Sequence, residues 1–377
     1  MRILHTSDWH FGACLSGTRI YEDQKYFLNC LYSVIEKEKV DLVICAGDIF
    51  DSSVSTADSI SMYNDAATTI CGRLGKKMVV IAGNHDSAAR LSSCRELLRG
   101  SGLYVTGRIS KAAEPDLFDN GSVAVYSVPF FNRDEVIAMF PDKKELIRSQ
   151  EDAAKIYFDH IRDNMDRTRK NIVVSHAYIV NSELSESDRA AQVGFATAVS
   201  KDVFADFDYV ALGHIHKPQI ITERIRYSGS PVKMSFGKEE KQQKVVYIYD
   251  TDRDEVSEVP IDQKHEWRSL TDTYENICAM TGLDDVYLRI TLTDKPAGAD
   301  TYAILKNQFP LLTELRGRSF QASGEESCFS REEFGSLSEK DILLMFLGEK
   351  YGFEPEAGQL ELFMEAVSES EKEGEEG

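Results

Sequence analysis

Long apolar runs are missing from this 377-residue chain. A membrane-spanning helix needs about 20 predominantly apolar residues, and no stretch of the sequence meets that requirement. The first residues, MRILHTSD, also lack the basic start and the apolar segment of a secretory leader. We therefore expect a cytoplasmic protein with no membrane partner.

Cysteine pairing is missing as well. The chain has seven cysteines, an odd number, and no two of them form a CxxC pair. This pattern argues against a disulfide framework and against a zinc site built from thiolates. We expect all seven to be reduced and structural, because free cysteine usually packs as a small apolar residue.

Positive charge is scarce. The formal net charge is −20, from 43 basic and 63 acidic residues. Residues 354–377 hold nine acids and one lysine and so account for −8, which leaves −12 on the rest of the chain. This balance argues against a protein that holds nucleic acid by its overall charge. If DNA is the substrate, metals, a local basic patch or a partner must supply the positive charge.

Short apolar runs and amphipathic segments alternate along the first part of the chain. Runs rich in Val, Ile and Leu predict buried strands at residues 1–6, 41–46, 77–82, 171–175, 208–212 and 244–250. Apolar residues at helical spacing predict helices at 22–39, 56–74 and 145–167. Alternating strands and helices are typical of an α/β architecture.

The last third of the chain predicts different units. We place the end of a first domain, 1–260, near Pro260, and expect a small α+β domain at 261–335. Within it, residues 286–293 and 311–318 read as strands and residues 299–308 as a helix. Two short amphipathic helices follow within 336–368, and the acidic tail 369–377 is expected to be disordered.

Polar side chains follow five of the predicted strands directly. In chain order these clusters are Asp8-Trp9-His10, Gly47-Asp48-Ile49-Phe50-Asp51, Gly83-Asn84-His85-Asp86, Ser175-His176 and Gly213-His214-Ile215-His216. Ligands of open α/β sheets bind beyond the carboxyl ends of the strands, so the five clusters should converge on one site. Alternate residues of an extended chain point the same way, so the DxH and HxH pairs can each direct two ligands together.

The residue types of these clusters indicate metal ions. Carboxylate, imidazole and amide groups without thiolate suit manganese, iron or zinc. Two ions about 3.5–4 Å apart can hold the attacking and the leaving oxygen of a phosphoryl group, and Asp48 is the natural bridge between them. A single DxH or HxH motif is a weak signal, and it is the ordered set that carries the prediction. The remaining histidines, His5, His160 and His265, are interpreted as structural or surface residues.

Taken in this order, the motifs resemble the calcineurin-like metallophosphoesterase superfamily over roughly residues 1–250. The resemblance implies a β-sandwich flanked by helices. Four segments, MRILHTSDWH, GDIFD, GHIHKPQ and RYSGSP, more narrowly resemble the SbcD family, the nuclease subunits of bacterial SbcCD complexes.

The resemblance implies a role for each site residue. One metal ion would be surrounded by Asp8, His10, Asp48 and His216, and the other by Asp48, Asn84, His176 and His214. His85 would face the scissile phosphate and protonate the leaving oxygen or stabilise charge there. We further predict that Asp86 orients His85. Asp51 stands where some relatives carry a second substrate-facing histidine, so a substrate-facing role and a structural or orienting role remain equally open for it.

The same resemblance implies a function and partners. It implies a manganese-dependent DNA nuclease that degrades duplex ends with ATP and nicks single strands or hairpins, in DNA repair, recombination and replication. Its partner would be an SbcC-type ATPase, and two nuclease subunits would form a homodimer within a heterotetramer. The unit at 261–335 resembles a DNA-capping domain. The terminal helices resemble the segment that grips the ATPase coiled coil, exposing Phe346 and Phe363, although they could instead pack on their own domain.

Alternatives remain at this point. The same metal core serves phosphoesterases that act on phosphoproteins or cyclic nucleotides. A scaffold that has lost catalysis would lack ligands, yet every motif position here is filled. A locally basic stretch beside the HxH motif could face the DNA backbone or form an ordinary solvated loop; its members are Lys217, Arg224, Arg226, Lys233 and Lys238.

Overall fold

The computed structural model describes residues 1–15, 17–184, 188 and 198–317. The chain divides into two compact units. The first comprises Met1–Ser269 and Asp285–Leu288, and the second comprises Leu270–Asp284 and Arg289–Gly377, described as far as residue 317. None of the helices in the described ranges is long and apolar enough to cross a membrane.

The strands are short and most are buried. In chain order they are β1 Arg2–Thr6, β2 Cys14–Leu15, β3 Thr18–Arg19, β4 Leu42–Cys45, β5 Lys77–Ile81, β6 Leu103–Thr106, β7 Asp116–Phe118, β8 Val123–Val128, β9 Lys170–His176, β10 Tyr209–Gly213, β11 Gln219–Ile220, β12 Ile225–Tyr227, β13 Lys244–Asp250, β14 Glu255–Ile261, β15 Glu266–Asp272, β16 Val286–Leu292 and β17 Leu312–Arg316.

Helices lie between many of these strands. They are α1 Tyr21–Lys37, α2 Ala57–Ala67, α3 Ala88–Leu91, α4 Arg95–Gly100, α5 Arg133–Met139, α6 Gln150–Asn164, α7 Tyr274–Ala279 and α8 Ala299–Gln308. α2 continues as a π-helical turn over Thr68–Arg73. The predicted helix at 56–74 therefore changes from α-helical to π-helical geometry after Ala67. The predicted helix at 145–167 begins later, at residue 150, because Ser149 and Asp152 form a capping box there.

Two six-stranded sheets build the first unit. Their strand orders are β14-β13-β1-β4-β5-β6 and β11-β12-β10-β9-β8-β7. In the first sheet β1, β4, β5 and β6 are parallel, and in the second β8, β9, β10 and β12 are parallel. The five strands that the sequence predicted to end at the site therefore occupy the parallel central parts of both sheets.

Apolar side chains from both sheets form one shared core. Its buried members include Ile3, Leu42, Ile44, Val79 and Ile81 of the first sheet and Phe118, Val123, Val125, Ile172, Val174 and Tyr209 of the second. A second apolar cluster joins β8, β9 and β10 to α5 and α6. The predicted mixed α/β architecture is confirmed, and its first unit packs two sheets face to face.

The second unit is small. β17 belongs to a three-stranded sheet of order β15-β16-β17. Ile290, Leu292, Leu305, Phe309 and Leu312 are buried and supply apolar packing within this unit. β16, α8 and β17 match the predicted strand, helix and strand within two residues at each end. The domain boundary near residue 260 stays a prediction, and the terminal helices with Phe346 and Phe363, like the acidic tail, lie outside the described residues.

Candidate metal centre

The loops that follow β1 and β4 are tied together by backbone hydrogen bonds. The N–H of Asp8 donates to the carbonyl of Gly47, and the N–H of His10 donates to the carbonyl of Asp48, each at 3.0 Å. From the second sheet, His176 Nδ1 lies 2.9 Å from the carbonyl oxygen of Ala46. The carboxyl ends of β1, β4 and β9 thus meet, and the close approaches of Gly83 and Gly213 bring in those of β5 and β10, as the sequence predicted.

Glycine is required where these loops touch. Gly47 has φ +90°, which suits the predicted tight turn. Gly83 and Gly213 are needed for close approach instead. A Cβ on Gly83 would lie 2.1 Å from Asp48 Oδ1, and a Cβ on Gly213 would lie 2.0 Å from the carbonyl oxygen of Ala46.

Four of the predicted ligands have a strained backbone. Asp8, His10, Asp48 and His214 have positive φ angles of 52°, 44°, 50° and 102°. Non-glycine residues in such conformations cost on the order of 1–3 kcal/mol each and persist where the surrounding structure holds them. The fold therefore gives up stability to place these four side chains.

Asp8, His10 and His216 form one group of possible ligands. Their ligand atoms all lie within 4.8 Å of one another, and all three residues are buried. His216 Nε2 is 3.1 Å from His10 Nε2. Asp8 also accepts hydrogen bonds from the N–H of His214, at 3.0 and 3.2 Å, which links this group to the HxH loop.

A second group lies beside the first. Asp8, Asp48 and His176 form it, again within 4.8 Å. Asp48 Oδ2 is 3.3 Å from His176 Nε2 and 3.6 Å from His10 Nε2, so this carboxylate stands between the two groups. Asn84 Oδ1 lies 3.0 Å from His176 Nε2 and 2.9 Å from His214 Nδ1. All seven residues predicted to hold metal are thus brought together.

The donor set fits divalent cations. His176 Nε2 faces the oxygens of Asp48 and Asn84, and His214 Nδ1 lies 3.3 Å from His176 Nε2. The Nδ1 of His176 contacts the carbonyl of Ala46, so in the neutral ring Nε2 is an acceptor that faces the acceptor oxygens of Asp48 and Asn84. A cation satisfies such an arrangement, and the mixture of carboxylate, imidazole and amide oxygen suits manganese, iron or zinc.

The buried carboxylates and imidazoles of these groups shift one another's pKa values. Burial lowers the pKa of His10, but the carboxylates of Asp51 and Asp48 outweigh it and raise that pKa to about 8. Burial likewise opposes protonation of His176, yet Asp48 raises its pKa to about 9. Burial raises the pKa of Asp8 to about 6. For Asp48 burial acts in the same direction, but His176 and His10 hold its pKa well below the usual range.

The other two histidines of the site are held neutral. Burial, followed by the charge of His176, lowers the pKa of His214 to about 4. Burial and the neighbouring His10 lower the pKa of His216 well below its ordinary value. Neutral imidazole is the form that binds metal ions, so His214 and His216 are ready as ligands without losing a proton.

His85 lies at the edge of the ligand groups and is half-buried. Its ring Nδ1 is 2.8 Å from the carbonyl oxygen of Asp51, and its backbone N–H donates to Asp48 Oδ1 at 2.9 Å. The ring stands edge-on to that of His10, with centroids 5.0 Å apart. Nδ1–H donation to Asp51 leaves Nε2 available for a substrate.

Asp86 has partners other than the predicted one. Its carboxylate accepts the N–H groups of Ile49, Phe50 and Gly83, at 3.1, 2.9 and 2.9 Å. Asp86 therefore ties the loops after β4 and β5 together, and the carbonyl of Asp51 is the group that contacts the ring of His85. The carboxylate of Asp51 lies 3.4 Å from His10 Nδ1, which places Asp51 in an orienting position.

Two charged residues beside His216 were missed by the sequence reasoning. Asp188 Oδ1 accepts the N–H of His216 at 3.0 Å, and Lys244 Nζ donates to its carbonyl oxygen at 3.0 Å. No local motif marks Asp188. Lys244 offered one signal, a charged residue at the start of a predicted buried strand.

The three remaining histidines lie elsewhere. His5 is buried and contacts the hydroxyl of Tyr209 and the carbonyl of Leu212. His265 is buried against Asp23 at 2.9 Å. His160 Nε2 lies 2.8 Å from the carbonyl oxygen of Lys111.

The basic stretch beside the HxH motif is largely occupied by contacts within the protein. Lys217 pairs with Glu183, and Arg224 pairs with Asp208 and Asp254. Two more of its members are also engaged: Arg226 lies over the ring of Tyr247, and Lys233 donates to the carbonyl of Glu240. Lys238 is exposed. This pattern favours a solvated, internally paired surface over a continuous DNA-binding strip.

A family model describing calcineurin-like phosphoesterases matches residues 1–218, which span β1 to β10 and every predicted ligand. The chain belongs to the calcineurin-like phosphoesterase family. Within that family it is similar to the SbcD subunit of the nuclease SbcCD from Staphylococcus epidermidis, with 29% identity over 353 residues that cover 92% of each chain. The resemblance to SbcD is therefore confirmed.

Solved structures give a weaker likeness. TT1561 of Thermus thermophilus has a TM-score of 0.39 and 11% identity, over 69% of this chain and 99% of that one. GAP50, the anchor in the inner membrane complex of Plasmodium, has a TM-score of 0.39 and 15% identity, over 70% of this chain and 89% of that one. Scores of this size carry no argument about function.

Proposed function

We propose that this chain is a dinuclear-metal DNA nuclease subunit that works with an SbcC-type ATPase. The observation that carries the proposal is the placement of Asp48, whose Oδ2 lies within 3.6 Å of imidazole nitrogens from both ligand groups. A carboxylate in that position can bridge two ions. The similarity to an SbcD subunit along nearly the whole chain supports DNA as the substrate.

The two ions would be held as the resemblance implies, with manganese as the proposed metal. Asp8, His10, Asp48 and His216 would hold one, and Asp48, Asn84, His176 and His214 the other. When bound, such ions activate a water at neutral pH and stabilise charge on the phosphoryl oxygens. The surrounding loops hold Asp8, His10, Asp48 and His214 in strained conformations, so these ligands would be in place before substrate arrives.

His85 supplies the remaining chemistry. Its Nδ1–H bond to the carbonyl of Asp51 fixes the ring and directs Nε2 away from that contact. From there Nε2 would deliver a proton to the leaving oxygen or hydrogen-bond to the developing charge. The hydrogen bond from the His85 backbone N–H to Asp48 Oδ1 sets the distance between His85 and the bridging carboxylate.

The finer features belong to the same proposal. We infer ATP-dependent exonuclease action on duplex ends and endonuclease action on single strands and hairpins, in DNA repair, recombination and replication. The small unit after residue 260 would cap the DNA, and the terminal helices would dock the ATPase coiled coil. Two nuclease subunits would pair within a heterotetramer. Because the basic side chains beside the site are mostly paired, the ATPase would supply much of the positive charge.

The test is manganese-dependent cleavage of labelled hairpin, single-stranded and duplex DNA. The chain is assayed alone and with its ATPase partner and ATP, beside His85→Ala and a phosphomonoester substrate. We expect DNA cleavage that needs manganese and falls about 10²–10⁴-fold in His85→Ala. Turnover of the monoester with intact DNA, even with partner and ATP present, would instead place the chain among the phosphatases of its family.

A further inference from the structure

Lys244 is a fully buried lysine next to the candidate metal centre. Its side chain is 0% exposed, and that of Glu239, its ion-pair partner, is 1% exposed. Lys244 Nζ donates to three acceptors: Glu239 Oε1 at 2.6 Å, Ser230 Oγ at 3.0 Å and the carbonyl oxygen of His216 at 3.0 Å. All three hydrogens of the ammonium group are used.

Stability alone gives little reason for such a pair. Removing two charges from water costs several kcal/mol per ion, and buried ion pairs replaced by apolar residues of similar size often leave a protein equally or more stable. Glu239 is fixed by the N–H of Met234 and the hydroxyl of Ser235, both in its own loop. The hydrogen bond from Lys244 to the His216 carbonyl connects this ion pair to the candidate metal centre.

The backbone of His216 is held on both sides. Its N–H donates to Asp188 Oδ1 at 3.0 Å, and its carbonyl also accepts the N–H of Ser230 at 3.2 Å. A Cβ on Gly229 would lie 2.7 Å from the same carbonyl oxygen, so the RYSGSP turn packs directly on it. These contacts fix the peptide from which the His216 imidazole extends towards His10.

We propose that Lys244, paired with Glu239, is a positioning residue for the metal ligand His216. By fixing the His216 carbonyl, the pair keeps Nε2 directed at His10 and Asp8, the other members of that ligand group. This inference rests on the proposed dinuclear centre. Residues that orient a metal ligand typically change metal affinity about 10–100-fold when they are replaced.

The test measures manganese binding rather than activity. Isothermal titration with Mn²⁺ is applied to the full chain and to the double variant Lys244→Met/Glu239→Gln, which removes both charges and keeps an acceptor for the Met234 N–H. Lys233→Met is the matched control, because Lys233 lies in the same region and donates to the carbonyl of Glu240, not to His216. Metal-free thermal unfolding reports the stability of each variant.

We expect the double variant to bind one manganese ion about 10–100-fold more weakly than the wild type does. It should bind the other ion with wild-type affinity. Both results should hold whatever the unfolding temperature of the variant. Lys233→Met should bind both as the wild type does. If that double variant does not fold, Lys244→Gln/Glu239→Gln, which keeps a polar pair without a buried charge, should show a loss of about tenfold at one ion. Unchanged affinity in a folded variant would overturn this proposal alone. A wild-type chain that binds fewer than two ions would overturn the dinuclear centre itself.

Discussion

At the scale of single residues, several groups of the candidate metal centre are held in unfavourable protonation states or backbone conformations. Burial raises the pKa of Asp8 and so disfavours its ionised form. Burial also disfavours protonation of His10 and His176, but nearby carboxylates raise the pKa of both rings. Four predicted ligands also occupy a backbone conformation that favours glycine. Divalent ions would relieve the electrostatic part of this cost, because they replace the protons between imidazole and carboxylate.

Asp48→Asn tests the bridging carboxylate. The substitution keeps the size of the side chain and an oxygen that can accept the N–H of His85, but it removes the charge shared by both ligand groups. We expect the number of manganese ions bound at micromolar metal to fall from two to one or none. Asp58→Asn is the matched control and should keep both ions, since Asp58 is an exposed carboxylate that pairs with Arg19 and contacts no predicted ligand. Two tightly bound ions in Asp48→Asn would contradict the bridge.

His5 provides a pH-dependent prediction away from the metal ligands. Burial lowers its pKa from 6.5 to about 3 in the folded chain. Stability from the neutral ring is therefore fully present above about pH 6.5 and is lost as the pH falls towards 3, and at pH 5 the loss is about 2 kcal/mol. Between pH 7.5 and pH 5, the free energy of unfolding of His5→Gln in urea should fall by about 2 kcal/mol less than that of the wild type. Equal decreases would show that His5 titrates normally.

At the scale of elements, the site depends on loops that meet only because their strands are neighbours in the sheets. Parallel strands place their carboxyl ends at one edge, so short apolar runs followed by Asp, His and Asn were enough to predict which residues converge. Contacts across large sequence separations could not be read in this way. The bond from the His216 N–H to Asp188 and the use of Asp86 by backbone N–H groups depend on loop paths that no local pattern specifies.

Gly83→Ala tests the close packing of these loops. The new Cβ would lie 2.1 Å from Asp48 Oδ1 and 2.5 Å from the Asp48 backbone nitrogen, so the loop after β4 must shift. We expect manganese affinity to fall at least tenfold and stability to fall by about 1–3 kcal/mol, as in overpacked sites. Gly100→Ala is the control, because a methyl group added there would have nothing within 4 Å. Wild-type manganese binding by Gly83→Ala would show that the loops are loosely packed.

At the scale of the whole molecule, the acidic balance limits how this chain could bind DNA, its proposed substrate. The net charge of −20 and the internal pairing of Lys217 and Arg224 leave few cations for phosphate contacts. We expect the chain alone to bind a short duplex no more tightly than about 10 µM at physiological salt, with a shallow salt dependence. Fluorescence anisotropy should show tighter binding and a steeper salt slope once the ATPase is added. Tight, strongly salt-dependent binding by the chain alone would contradict this division of roles.

The most direct test of the dinuclear centre is anomalous X-ray scattering at the manganese edge from crystals of the chain loaded with Mn²⁺. Two peaks about 3.5–4 Å apart, one beside Asp8, His10 and His216 and one beside Asn84, His176 and His214, with Asp48 between them, are the predicted result. A single peak, or peaks away from Asp48, would contradict the account.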